Sequence, residues 1–418
     1  MAGAAVGGAG HGRRAELGRA LATVARMVGD IATAEDAVQE AFADALRTWP
    51  VVGMPANPGA WITTAARHRA LDRVRRESAR TIKEHNAFRL DGSRMGALAV
   101  EPEEIEMSPV VDDQLRMIFT CCHPALSVES RVALTLRLVC GLRTAEIARA
   151  FQQPEHTVAQ RLTRAKAKIR AAGIPLRVPP AHLLPERTPA VLACVYLVFS
   201  EGYFATAGPS AIRDELCDEA VRLGRLLCAL LPEEPEARAL LALMLLNDSR
   251  RAERRSADGE LVPLEEQDRS RWNRAEIDAG LRCLISAAET GGSGTYLAQA
   301  RIAGAHAVAA TWARTDWCAV VGGYDELLRH TRSPVAEVNR SVAVGFRDGF
   351  QAGWTALDAV ADHPRLAGSH LVAATRADML SRAGRTAEAV EYYRQAVDLA
   401  ANDQVRRFLT RRITEITG

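Results

Sequence analysis

A chain of 418 residues, 48% hydrophobic with mean hydropathy −0.08 and a formal net charge of +2, is soluble in composition and too long for one ordinary domain. No apolar run approaches the roughly 20 residues that span a bilayer, and the opening "MAGAAVGGAGHGRRAELGRAL" places its arginines after its small residues, the reverse of a secretory signal. A cytoplasmic protein without a membrane partner is expected.

The charge is unevenly divided. Residues 1–180 carry 25 Lys and Arg against 19 Asp and Glu, whereas residues 181–418 carry 28 against 32, so a basic front suited to nucleic acid precedes an acidic back. Apolar residues recur at three- and four-residue spacing almost throughout and no alternating β-branched run occurs, which predicts an all-α fold.

In chain order, residues 13–49 predict two helices broken near "VGDIAT". Within "TAEDAVQEAFADALRTWP" (33–50) the pattern turns Ala37, Phe42 and Leu46 inward and Asp36, Gln39, Glu40 and Asp44 outward as an acidic-polar strip. A turn-rich piece (50–60) leads to a helix from Trp61 to about Lys83, in which Ile62, Ala66 and Leu71 pack. Its other face carries Thr64, Arg67, His68, Arg75 and Arg76 with Trp61 at the head, the stacking and phosphate-contacting groups that capture of melted DNA requires. Residues 86–111, with Gly, Pro and acid clusters, read as a linker.

Residues 112–173 predict a compact helical unit, with "SVESRVALTLRLVCGL" (127–142) as a supporting helix. Thr144 is placed as an N-cap, Ile147, Ala148 and Phe151 as an apolar stripe, and Pro154 in the first turn of the next helix. Val158, Leu162, Ala165 and Ile169 then mark a buried face. Glu155, His156, Thr157, Gln160, Arg161, Arg164, Lys166 and Lys168, with Arg170, lie on the polar side, matching a helix-turn-helix with a basic second helix. A stiff linker (174–185) precedes a helical array over 186–418, in which residues 248–272 read as a polar insertion. Its last part repeats at about 34 residues, with turns at Gly349 and Gly384, Ala377 and Leu380 on one helix and Ala389, Tyr393 and Ala396 on the next. This spacing resembles a tetratricopeptide repeat. Tyr392, Tyr393 and the "RDGF" turn with Asp348, Gly349 and Phe350 are the expected contact or regulatory face.

"CCHP" (121–124) lacks a second ligand pair, and the eight cysteines read as reduced core thiols, so neither metal nor cofactor is expected. No nucleophile–base constellation or phosphate loop occurs, and the chain is expected not to be an enzyme.

The order "AEDAVQEAF", "WITTAARHRALDRVRRE", "TAEIARAFQQPEHTVAQRLTRAKAKIR" resembles the extracytoplasmic-function sigma factors of bacterial RNA polymerase, most closely those with a tetratricopeptide-like C-terminal extension. The resemblance implies a sigma-2 domain (13–85) that docks core RNA polymerase through Asp36, Gln39, Glu40 and Asp44. It implies that the surface from Trp61 to Arg76 engages the −10 element of promoter DNA, and that a sigma-4 domain (112–173) reads −35 through the 155–168 face. The acidic extension, tethered by the stiff linker and able to reach either domain, is expected to be regulatory and to act through an intramolecular contact with the sigma core. A stand-alone helix-turn-helix regulator with a ligand-sensing repeat domain is the alternative, against which the acidic strip argues, since such a regulator needs no docking face.

Overall fold

The computed structural model describes residues 17–88, 109–151, 153–204, 212–256, 258 and 260–418. The expected linker at 86–111 therefore lies almost wholly outside the described residues. Outside helices and turns the described residues include one isolated antiparallel bridge, Arg255 to Leu261. The chain divides into two compact bodies, Met1–Arg149 with Gln153–Cys194, and Ala150–Gln152 with Val195–Gly418.

The first body opens with α1 (residues 17–28) and α2 (Ile31–Val52). Gly29 at φ 70° ends α1, and the Asp30 carboxylate caps α2 by accepting from the Thr33 N–H at 2.9 Å. The buried stripe of α2 is Ile31, Ala34, Ala37, Val38, Ala41 and Ala45, small residues that let α3 (Pro58–Phe88) approach closely. The expected stripe is corrected at one end, because Leu46 is 73% exposed and Ala45 holds the inward position. The predicted break at Pro50 is also corrected. Although its ring removes the N–H that would reach the Leu46 carbonyl and crowds that oxygen, Pro50 lies inside α2, which stops only at Gly53 (φ 93°). Then follow α4 (Pro109–Cys121), α5 (Val128–Leu134), a π-helical turn (Thr135–Val139), α6 (Thr144–Ala150) and α7 (Glu155–Ala171). The body continues beyond the expected linker into α8 (Leu184–Tyr203), whose Cys194 thiol donates to the Thr135 hydroxyl at 3.4 Å.

The second body is an array of helix hairpins: α9 (Asp214–Leu230) and α10 (Pro235–Asp248), then α11 (Arg274–Glu289), α12 (Thr295–Val308), α13 (Trp317–His330), α14 (Pro334–Asp348), α15 (Phe350–Ala361), α16 (His370–Arg382), α17 (Thr386–Leu399) and α18 (Asp403–Thr417). Ala377, Leu380, Ala389, Tyr393 and Ala396 are buried as the repeat pattern requires, and Gly384 turns the hairpin at φ 74°. Burial removes Tyr393 from the expected contact face. The polar insertion is a strap. Its Leu261 packs among Ala377, Tyr393 and Leu409, Glu260 pairs with Arg407 at 2.9 Å, and Trp272 is buried with Leu246 and Ile277, so it ties the C-terminal helices to the middle of the array. Of the cysteines, Cys121, Cys122, Cys140, Cys194 and Cys217 are buried, whereas Cys318 is exposed and departs from the core reading.

The "RDGF" turn has a structural duty. Gly349 at φ 95°, ψ 169° ends α14, Phe350 packs on Trp354 with centroids 5.6 Å apart, and Asp348 is exposed and paired with Arg347 next to it. Such backbone is essentially restricted to glycine, so Gly349→Ala should cost on the order of 1–3 kcal/mol and lower the melting temperature in thermal unfolding. Asp348→Ala, which removes only an exposed pair, should leave it unchanged.

Candidate nucleic-acid interface

The helix-turn-helix is set by local chemistry before any packing. α6 begins at Thr144, so Arg143 and not Thr144 holds the N-cap position. The Glu146 carboxylate reaches back to accept from the Arg143 N–H at 2.8 Å, half of a capping box. Four residues later α7 restarts after Pro154. Val158, Leu162, Ala165 and Ile169 are buried and anchor it. Glu155, His156, Gln160, Arg164 and Lys168 are exposed, Thr157 is half-buried, and Arg161 is half-buried because its guanidinium donates to the Gln153 side chain at 2.8 Å. The free face is thus basic but narrower than the sequence pattern, because two cations are turned elsewhere.

Those two are Lys166 and Arg170. The Lys166 ammonium lies 2.7 Å from the Glu35 carboxylate of α2, and Arg170 lies 2.7 Å from Asp30. Glu35 is also paired with Arg137 of the π-turn at 2.6 Å. Its side chain is 9% exposed. Burial on its own would raise the Glu35 carboxyl, but Arg137 and Lys166 outweigh it and hold the group below the usual carboxylate range. Around this cluster the first helices meet the later ones closely. Arg26 of α1 pairs with buried Asp113 of α4 at 2.6 Å, and a Cβ at Gly18 would stand 2.2 Å from the Val139 carbonyl oxygen. Glu35, Arg137, Asp30 and Gly18 were not singled out by sequence reasoning. The available signal was Glu35 itself, a carboxylate one position along from Ala34 on the apolar stripe of α2.

The α2 strip is in place, with Asp36, Gln39 and Glu40 exposed and Asp44 half-buried. Its charges are not bare: Arg73 of α3 lies 2.9 Å from Asp36, Arg69 lies 2.8 Å from Glu40, and Arg69 and Arg47 both pair with Asp44. On α3, Thr64, Arg67, His68, Arg75 and Arg76 are exposed together, while Trp61 is half-buried edge-on to Trp49, with centroids 5.6 Å apart. At the end of α2 the exposed apolar residues Val51, Val52 and Met54 adjoin this region in sequence. Sequence reading had assigned them only to a turn.

Family models agree with this layout: "Sigma-70 region 2" matches residues 14–80 and "Sigma-70, region 4" matches 116–169. The chain belongs to the extracytoplasmic-function sigma factors of the sigma-70 family. As such it acts in transcription initiation, with core RNA polymerase and promoter DNA as partners. The "Probable ECF RNA polymerase sigma factor SigI" of Mycobacterium tuberculosis (strain ATCC 25618 / H37Rv) is 30% identical over 157 residues, 38% of this chain and 52% of that protein. The "ECF RNA polymerase sigma factor SigK" of Mycobacterium ulcerans (strain Agy99) is 29% identical over 147 residues, 34% of this chain and 74% of that protein. Both matches are confined to a fraction of the sigma factor described here. By contrast, "Uncharacterized protein R00370" of Rhizobium meliloti (strain 1021) is 40% identical over 385 residues, 92% of this chain and 90% of that protein, and so includes the extension. A family of unknown function matches residues 187–288.

Replacing Glu35 by Gln leaves Arg137 and Lys166 without their counter-charge. Breaking a buried pair in this way costs on the order of 3 kcal/mol, and amide hydrogen exchange should accelerate at the start of α2 and along α7. The sign with pH follows from the depressed carboxyl. The contribution of the native pair is complete above the ordinary glutamate range and is lost as pH falls through the lowered value, so the native and Glu35→Gln proteins should converge in stability only in acid.

Proposed function

We propose that the sigma factor docks core polymerase through Asp36, Gln39, Glu40 and Asp44, engages −10 through the Trp61–Arg76 surface of α3 and reads −35 through His156, Gln160, Arg161, Arg164 and Lys168. The polymerase-free chain rests closed, with Lys166 and Arg170 withheld from DNA by Glu35 and Asp30. The observation that carries this reading is the 2.7 Å pairing of Lys166 with Glu35. Two promoter elements about 25 base pairs apart are separated by roughly 85 Å along B-DNA at 3.4 Å per step. Helices within salt-bridge distance of each other cannot occupy both, so holoenzyme formation must separate them. No described helix is long and apolar enough to cross a membrane, and the chain acts in the cytoplasm with polymerase. The acidic extension modulates this activity.

Opening is testable without polymerase. Asp30→Asn keeps an N-cap for α2 while removing the carboxylate charge that faces Arg170, and Glu35→Gln removes the one that faces Lys166. Each should raise the affinity of the free chain for duplex DNA carrying its −35 element, and unchanged affinity in both would overturn the closed resting form. Arg164→Ala should weaken promoter binding by about 1–3 kcal/mol with relaxed sequence preference, whereas Lys168→Ala should lower the salt slope by about one unit. For docking, Asp36→Asn with Glu40→Gln should reduce co-purification with core polymerase, with thermal stability little changed because exposed pairs contribute only about 0.2–1 kcal/mol each. Because α8 belongs in part to the first body, the extension is best removed after Phe204. Run-off output identical to that of the full chain would leave the extension without a regulatory role.

A further inference from the structure

The second body holds a half-open chamber of about 530 Å³ between α8, α10, α12, α13, α14 and the strap, within the roughly 300–1,000 Å³ usual for small-molecule sites. Its lining has an unusual charge balance for an acidic domain. Among the described lining residues there is no Asp or Glu, and there is one fixed cation, Arg250. The contrast with adjacent arginines is sharp. Arg251 is held by Asp214, Asp218 and Asp248, and Arg269 donates to the carbonyl oxygens of His306 and Ala309. Arg250 has only the Asn247 side-chain oxygen at 3.2 Å and the face of Tyr203 at 5.5 Å, with no carboxylate partner among the described residues.

The remaining walls fit the organic body of a ligand. Leu246, Ile302 and Leu327 are apolar, and Tyr196 and Tyr296 stand edge-on with centroids 5.5 Å apart. The Tyr196 hydroxyl donates to Gln299 at 2.8 Å, fixing that amide at the wall. Among the described lining residues, two buried polar groups lack partners. Trp272, 4% exposed, lines the chamber with its indole N–H unsatisfied, and the buried Nδ1 of His306 is unsatisfied as well. Buried groups of this kind are normally hydrogen-bonded. Burial, then Arg250 and Arg269, push His306 down to about 4, so at neutral pH it adds a neutral donor or acceptor and no charge.

We propose that this chamber binds a small organic monocarboxylate, its carboxylate paired with Arg250 and its apolar or aromatic body between Tyr296, Leu246 and Leu327. One guanidinium matches one carboxylate by a two-pronged hydrogen bond, whereas a phosphate dianion would leave a charge uncompensated where only one cation is present. Part of the wall, including Tyr196, Asn247, Arg250 and Trp272, lies inside the segment matched by the family of unknown function at 187–288. That such binding adjusts transcription rests on the modulatory reading above. The binding itself does not.

The test uses the full purified chain and a panel of monocarboxylates, among them benzoate, 3-phenylpropionate and octanoate, each beside its neutral amide, with inorganic phosphate as a further probe. At least one acid should raise the melting temperature in a concentration-dependent, saturable way and show binding by calorimetry, and its amide should bind at least tenfold more weakly. Arg250→Met should abolish the response and Arg250→Lys should restore part of it, with circular dichroism confirming that both variants fold. The proposal is overturned if no acid of the panel binds, if Arg250→Met binds as well as the native chain, or if phosphate binds equally. Binding that leaves run-off transcription unchanged would keep the site and remove its regulatory role.

Discussion

A carboxylate that keeps only 9% of its side chain in water must either take up a proton or be compensated, and Glu35 is compensated twice, by Arg137 and by Lys166. That requirement organises the first body. It brings the beginning of α2 against the π-turn and the end of α7, and it places Asp30 where Arg170 can reach it. It also divides the cations of α7 into two sets. Arg164 and Lys168, four residues apart, stand on the free face beside the neutral Gln160, whereas Lys166 and Arg170 form a second four-residue row at the flank of the buried stripe, roughly 160° and 120° around the helix from Arg164 at 100° per residue. A helix that reads as uniformly basic in one dimension thus carries one face for solvent and one for its own chain.

The same principle of compensation governs α2 and α3, with a different outcome. Asp36, Glu40 and Asp44 face arginines of α3 in exposed positions, where water already screens the charges and the pairs add little to stability. Such exposed pairs are weak, so a surface that looks neutralised in isolation is not thereby closed to another partner.

In the extension, close packing replaces charge as the organising term. Alanine and glycine let the helices touch along their backbones: a Cβ at Gly353 would stand 2.7 Å from the Gly345 Cα, and Ala377, Ala389 and Ala396 are fully buried. The strap then crosses the array, and its Trp272 and Leu264 form part of the wall of a half-open chamber. At its wall Arg250 is the counterpart of Glu35, a charge with no opposite charge paired to it among the described residues.

Much of the fold was legible in the amino-acid order because periodicity reports directly which side of a helix is buried. The stripe Val158, Leu162, Ala165, Ile169, the hairpin residues from Ala377 to Ala396 and the turns at Gly349 and Gly384 follow from spacing and from the conformations that only glycine adopts. The errors lay at Pro50, which α2 runs through although proline usually ends a helix, at Thr144, where the cap depends on which carboxylate folds back, and at Leu46 within α2, where Ala45 takes the inward position. The pairing of Glu35 with residues 102 and 131 positions away, the arrest of Lys166, the strap across the array and the isolation of Arg250 were not legible. These are contacts between segments far apart in the chain, and the sequence of one helix determines which of its faces is buried but not which distant charge will meet it there.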